Sequence, residues 1–370
     1  PELVFVLGRR RVGKTFLLAP FARQVGGVYY QATRCTEAEQ LRSLTRVLAE
    51  HFDDDVLRAT GALDDWAALL DYVLAKVRGA PFLLVLDEFP YLVEASPALP
   101  SVLQGFLDHQ GRASRLKLVL CGSAITSMRR LEGPDQPLFA RRTSRLHVHP
   151  LGAWDVAAFV PDYAPLDRVR TYGVFGGLPG HLALLDPRRD FESNVVTNVL
   201  DPAARMYDEA QHALDAFLGE SLIHNSVLAA IAGGQATWGG ITKAVGKGSG
   251  SLSRPMDWLI EMEFVRRVVP ITSRDAARSK RTLYRIRDPY VSFWHRFVAP
   301  IVRRGGSWLA SPEELYRARV APRLDDAMGP VFEEVCRLAL PRLGRLPFRP
   351  VEVGEWWGSD SEDQIDVVAL

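Results

Sequence analysis

The 370-residue chain has few cysteines, almost no net charge and no long apolar runs. Its three cysteines, Cys35, Cys121 and Cys336, lie far apart, with no Cys-x-x-Cys pair. This excludes a disulfide-held scaffold and a cysteine zinc site, and fits a reducing, cytoplasmic compartment. Forty-five Lys and Arg offset 44 Asp and Glu, so the net charge of +1 selects no polyanionic partner for the chain as a whole. No apolar run approaches the ~18–20 residues of a membrane helix, and no membrane association is expected. No secretory leader is visible, in a chain that opens on Pro1 rather than methionine. Repeats and low-complexity tracts are also lacking. With 47% hydrophobic and 24% charged residues, the composition is globular rather than fibrous or disordered. At ~100–200 residues per domain, this length predicts two to four domains.

What is present is first an alternation. LVFVL (3–7), VYYQ (28–31), FLLVL (82–86), LKLVLC (116–121) and residues 145–148 read as strands. Between them, residues 15–24, 37–52 and 63–78 read as helices, with Leu41, Leu44 and Leu48, then Trp66, Leu69, Leu70, Val73 and Val77, at helical spacing. Continuous apolar strands separated by amphipathic helices predict a parallel sheet covered on both faces. From about Gly152 the strands stop. Helices are predicted over 154–159, 166–175, 181–185, 191–200 and 210–223. Residues 225–287 read as a helix-turn-helix with a wing, and 288–302 as an aromatic-rich connector. A helical stretch follows from 311 to 340, then strands over 348–353 and 364–370.

Residues 8–15, GRRRVGKT, fit Gly-x-x-x-x-Gly-Lys-Ser/Thr between a strand and a helix, the pattern of a phosphate-binding loop (P-loop). Gly8 and Gly13 permit a tight turn in which successive backbone N–H groups converge on phosphate oxygens. Lys14 places a charge on the β- and γ-phosphates, Thr15 offers a hydroxyl to Mg²⁺, and the helix start adds its dipole. The residues expected around ATP or ADP are Gly8, Arg9, Arg10, Arg11, Val12, Gly13, Lys14, Thr15 and Phe16.

FLLVLDE (82–88) supplies the partner acids. Asp87 at a strand end is expected to hold Mg²⁺ with Thr15, and Glu88 to orient or deprotonate an attacking water. The second carboxylate predicts hydrolysis rather than binding alone. Ser123, ending LKLVLCGS, is a candidate contact to the γ-phosphate or the water, the alternative being an ordinary strand-to-helix turn. Arg129, Arg130, Arg141 and Arg142 follow. Phosphoryl transfer benefits from an arginine that neutralises transition-state charge, supplied in cis or by a neighbour, and Arg141 and Arg142 are candidates.

Together GRRRVGKT, VYYQATR, FLLVLDEFPYL, LKLVLCGSAITSM, PLFARRTSRLHVHPL and YGVFGGLPGHLALL, spread over residues 4–185, resemble the archaeal-type P-loop ATPases of the AAA+/STAND group. The resemblance implies an α/β fold: a P-loop NTPase parallel sheet (residues 1–151), a helical lid (152–221), a winged helix (222–290), a connector (291–324) and the start of a restriction-endonuclease-like domain (325–370). It also implies that residues 176–179, Gly-Gly-Leu-Pro, couple the lid to the nucleotide, with Pro179 near it. Related origin-recognition ATPases carry an arginine shortly after that proline, where this sequence has Gly180 and His181.

Residues 237–287 hold eleven Lys or Arg against four acids, a local charge of +7. Lys247, Ser251 and Arg254, near the start of the second helix, and Lys280 and Arg281 in the basic loop are candidate contacts to double-stranded DNA. Protein contact or autoinhibition is the alternative for such a module. In the last segment, GPVFEEVCR and QIDVVAL place Glu333 and Asp366 where the resemblance implies two nuclease-like acids, while the Glu-x-Lys of such a site would fall after Leu370.

The expected activity is therefore ATP hydrolysis with Mg²⁺, the nucleotide state moving a DNA-binding winged helix and a nuclease-like domain. The rival readings are a non-enzymatic, nucleotide-switched regulator and a DNA-cutting enzyme. An arginine acting in trans would make the active form a homo-oligomer.

Overall fold

The first 149 residues form one five-stranded sheet in which the most apolar runs, LVFVL, FLLVL and LKLVLC, take the inner positions because they are too apolar to face water on either side, while VYYQ and the exposed SRLH form the edges. In chain order the elements are β1 (Glu2–Leu7), α1 (Lys14–Gln24), β2 (Val28–Gln31), α2 (Glu37–His51), α3 (Asp55–Thr60), α4 (Trp66–Val77), β3 (Phe82–Asp87), α5 (Phe89–Ala95), α6 (Leu99–Asp108), β4 (Leu116–Gly122), α7 (Ile125–Arg130) and β5 (Ser144–His147). The computed structural model describes residues 1–370 apart from 110, 124, 219–221, 274, 276–278, 280, 304–309, 345 and 359–362. It divides into two units, Pro1–His149 and Pro150–Leu370.

In the first unit the strand order is β2-β3-β4-β1-β5, with every pairing parallel. Side chains alternate across the sheet. Phe5, Leu7, Leu84, Leu86, Leu118 and Leu120 pack on one side with α2, α4 and α6. Val6, Val85, Val119 and Cys121 face the other side, against Leu18 and Ala22 of α1. Helix starts are set locally. Thr36 and Glu39 form a reciprocal cap on α2, and Asp65 accepts from the Ala68 N–H at 2.8 Å to cap α4. Because β4 lies between β1 and β3, the ends of three strands meet at one edge, where open α/β sheets bind ligands.

The second unit is mostly helical: α8 (Pro165–Phe175), α9 (Pro179–Leu182), α10 (Phe191–Val195), α11 (Glu209–Leu218), α12 (Leu222–Ala232), α13 (Trp238–Val245) and α14 (Ser249–Glu261). The antiparallel hairpin β6 (Val265–Val268) and β7 (Leu283–Ile286) follows. Then come α15 (Pro289–Phe293), α16 (Ala299–Val302), α17 (Pro312–Leu315) and α18 (Leu324–Ala339), and a second antiparallel pair, β8 (Val353–Trp357) and β9 (Gln364–Ala369). The helix expected over 210–223 is thus α11 and α12, with 219–221 outside the described residues. The strand expected over 348–353 is displaced to Val353–Trp357. Pro350 has no N–H to give a ladder, whereas Glu355 and Trp357 alternate inward from residue 353 onward.

One hydrophobic cluster runs through this unit from Ala153 to Met328. The segment read as a connector is part of its centre: Tyr290, Phe293, Trp294 and Phe297 are buried. The polar tips of Tyr290 and Trp294 donate to the carbonyls of Met206 (2.5 Å) and Tyr207 (2.6 Å). The Gly-Gly turn after α8 is required by packing, since a Cβ on Gly177 would lie 2.0 Å from the Leu151 carbonyl oxygen. Gly177 accepts from the Leu151 N–H at 2.7 Å in the same close approach.

His295 is buried between α15 and α16, and among the described residues neither ring nitrogen has a hydrogen-bond partner. Burial, with Arg303 adding repulsion, lowers its pKa from 6.5 to about 3. The unfolded chain therefore takes up a proton near pH 6.5 that the native state refuses. The stability contributed by neutral His295 is complete above that pH and drains away as pH falls toward 3, by up to ~1.4 kcal/mol per pH unit. Thermal midpoints measured between pH 7.5 and 5 should fall in the wild type and fall less in His295→Phe. Equal slopes would contradict this account.

Candidate functional site

The loop of residues 8–15 joins β1 to α1 at the edge where β3 and β4 also end. Gly13 opens α1 at φ 97°, a left-handed conformation that a side chain would strain. Lys14 is buried, and its Nζ donates back to the carbonyls of Gly8 at 2.7 Å and Arg9 at 3.1 Å. Burial lowers its pKa, against the opposing pull of Cys121, Glu88 and Asp87. Arg10 and Phe16 project to solvent, Phe16 85% exposed, while Val12 is buried.

Asp87 ends β3, buried, one strand away from the loop. Its Oδ2 accepts from the Thr15 hydroxyl at 2.8 Å and the Tyr29 hydroxyl at 2.5 Å, and its Oδ1 from the Glu88 N–H at 2.9 Å. Burial pushes the Asp87 carboxyl up. Donors from Tyr29, Cys121, Thr15 and the Glu88 backbone outweigh that push and hold it below the usual range. The same environment raises the Tyr29 hydroxyl and the Cys121 thiol, chiefly by burial. Thr15 and Asp87 thus present adjoining hard oxygens, a donor set suited to Mg²⁺ that keeps most of its shell as water and phosphate. Among the described residues no group of three or more His, Cys, Asp or Glu could hold a metal by itself.

Glu88 follows at φ 51°, ψ 42°, a left-handed geometry uncommon for a residue with a Cβ, which turns its carboxylate off the strand direction. The Ser123 hydroxyl lies 2.8 and 3.0 Å from the two Glu88 oxygens, and the Ser123 N–H 3.4 Å from Oε2. Lys14, Thr15, Asp87, Glu88 and Ser123 are therefore brought to one edge of the sheet. Arg141 and Arg142 are otherwise engaged. Arg141 makes a bidentate pair with Asp108 (2.6 Å at the closest) and donates to the carbonyls of Pro137 and Phe139, while Arg142 pairs with Glu132. Sequence reasoning missed Tyr29 and Cys121. Either tyrosine of VYYQ could face the acid, and only the placement of β2 beside β3 selects Tyr29. Tyr30 turns to the opposite face and bonds Gln40 Oε1 at 2.6 Å.

In the second unit, Lys247, Ser251 and Arg254 are exposed at and just before the start of α14. Lys280 lies outside the described residues. Arg281 donates to the Trp357 carbonyl at 3.0 Å. Other arginines of the basic segment are neutralised by the C-terminal segment. Arg266 pairs with Glu334, and Arg285 with both Glu355 and Glu333, the latter at 3.4 Å. Glu355 is only 3% exposed. Glu333 and Asp366 do not assemble as a carboxylate pair. Arg337 lies 3.7 Å from Glu333 and donates to the Asp366 backbone carbonyl at 2.8 Å, while the exposed Asp366 carboxylate accepts from Gln364. Pro179 opens α9 within the second unit.

A family described as an ATPase domain predominantly from Archaea matches residues 1–185, and one described as "Archaea bacterial proteins of unknown function" matches residues 294–370. The uncharacterized protein MJECL04 of Methanocaldococcus jannaschii is 28% identical over 374 residues, spanning all of this chain and 80% of the relative. The Walker-type ATPase Paby2304 of Pyrococcus abyssi superposes with a TM-score of 0.62 at 19% identity, over 80% of this chain and 91% of that one. No helix among the described residues is long and apolar enough to cross a membrane. With half its length matched and a phosphate-binding loop set against the acidic end of β3, the chain belongs to the ATPase family found predominantly in Archaea and is a nucleotide-binding P-loop ATPase.

Proposed function

We propose that the chain hydrolyses ATP with Mg²⁺ at the edge formed by β1, β3 and β4, and that the nucleotide state governs a DNA contact made by the second unit. The observation carrying the first part is the convergence of Lys14, Thr15, Asp87, Glu88 and Ser123. Lys14 exchanges its two loop carbonyls for phosphate oxygens. Thr15 and Asp87 would hold Mg²⁺, which would supply charge neutralisation on the phosphates. Glu88 orients the attacking water and accepts its proton, and Ser123 fixes the carboxylate for that task. Phe16 and the backbone of Arg9 to Val12 border the nucleotide. With Arg141 and Arg142 engaged by Asp108 and Glu132, an arginine from a second copy is the reading that best completes the site, making the active form a homo-oligomer.

For the second part, helices α12, α13 and α14 followed by the β6–β7 hairpin are in winged-helix order, with Thr237 bridged to Leu283 as the short third strand. The exposed cations at the start of α14 favour a phosphate contact to duplex DNA, because Arg266 and Arg285 are already paired. The nuclease-like segment serves in this reading as a brace for the hairpin. Phosphate release by the full chain, with and without duplex DNA, tests both parts. Multiple turnovers are expected, and duplex binding should weaken with salt, the log–log slope falling by about one in Lys247→Ala and in Arg254→Ala. One tightly held ADP per chain with no turnover would favour a switch over an enzyme. Absence of duplex binding at low salt would remove the DNA assignment.

A further inference from the structure

A pocket of about 390 Å³ opens where the start of α13, the β6–β7 hairpin and β8 meet. Its walls include Trp238 and Tyr284, whose rings are 5.7 Å apart and tilted by 48°, and the buried Trp357. Arg267 and Arg281 supply cations, and Thr237 and Thr282 supply hydroxyls. Among the described residues no carboxylate lines it.

The hairpin register explains how one ribbon carries two different surfaces. Arg266 stands opposite Arg285, and both reach the acids of α18 and β8. The next pair along the register, Arg267 opposite Tyr284, lines the pocket. Arg281 meets a neutral carbonyl, that of Trp357, which orients the planar guanidinium without cancelling its charge. Aromatic faces beside guanidinium groups suit a ligand that is planar at one end and anionic at the other. A nucleobase with its phosphate has this form. The volume is at the low end of the ~300–1,000 Å³ range of small-molecule sites, too small for a stacked duplex and sufficient for one nucleotide.

Resting on the nucleic-acid contact proposed above, we infer that this pocket takes one nucleotide unit of a single-stranded nucleic-acid segment. The base lies against Trp238 and Tyr284 and the phosphate is met by Arg267 and Arg281. The α14 cations and this pocket draw on different residues, so the chain engages a junction or frayed end better than an unbroken duplex.

The test titrates the full chain, saturated with ADP, against a labelled ten-nucleotide oligo-dT, an abasic strand of equal length and a 20-base-pair duplex. Oligo-dT should bind about tenfold more tightly than the abasic strand. Trp238→Ala should remove that advantage while leaving the duplex affinity unchanged, and Trp238→Phe should retain most of it. Arg281→Ala should weaken both single strands. If the duplex binds but Trp238→Ala leaves oligo-dT affinity unchanged, the pocket assignment is overturned and the α14 contact stands. If no nucleic acid binds, both fall. Displacement of oligo-dT by micromolar dTMP would assign the pocket to a free nucleotide and overturn the strand assignment.

Discussion

Replacing Lys14 with alanine should weaken MgATP binding by roughly 30- to 150-fold, which is the loss of a charged hydrogen-bond donor worth about 2–3 kcal/mol. The expectation rests on the position of the ammonium. It is buried at the loop, held by the carbonyls of Gly8 and Arg9 at 2.7 and 3.1 Å, with no carboxylate as its hydrogen-bond partner among the described residues. Those two acceptors are neutral, so exchanging them for anionic phosphate oxygens favours the bound state. Alanine also leaves the two carbonyls without their donor, and the thermal midpoint of the unliganded chain should fall slightly. Calorimetric titration with MgATP and MgADP measures the effect. Unchanged heats in the variant would mean that nucleotide is held elsewhere.

Glu88→Gln should have the opposite signature: binding preserved, turnover reduced by roughly 10²- to 10⁴-fold, the usual contribution of a positioned general base. Glutamine matches the size of glutamate and can keep the contact with Ser123, so the left-handed backbone at residue 88 is loaded no differently. Only the capacity to take a proton from water is lost. In single-turnover experiments the variant should retain unhydrolysed ATP through gel filtration. Hydrolysis at the wild-type rate would remove Glu88 from the chemistry. Ser123→Ala should fall between the two, because it disorders the carboxylate without deleting it.

Much of the candidate site at this edge was legible because its signals are local. The spacing in GRRRVGKT, the LVFVL run before it and the FLLVLDE run are each contained within a few residues, and a strand–loop–helix unit forms from neighbours in the chain. The inner strands were legible for the same reason, since runs such as FLLVLD have no polar side to expose, whereas the edge strand SRLH carries no such signal. Tyr29 and Tyr30 are a different case. Period-two alternation says that they point oppositely, but not which one meets Asp87 across the β2–β3 pairing. The arginines and acids of the second unit are harder still. Arg285 and Glu355 are 70 residues apart in the chain and meet directly, and nothing in either local sequence marks the other.

The order of residues by itself determined that a phosphate-binding turn follows an apolar strand, that an acidic pair ends another, and that a basic stretch lies beyond residue 237. Only the tertiary structure decided which of those charges are available. It placed β4 between β1 and β3, so that Ser123 reaches Glu88, and it gave Arg141, Arg266 and Arg285 to carboxylates. The physical reason is range. Strand and turn formation are governed by neighbours along the chain. The free energy of a charge depends on which opposite charge, or how much water, the fold brings within a few ångströms of it.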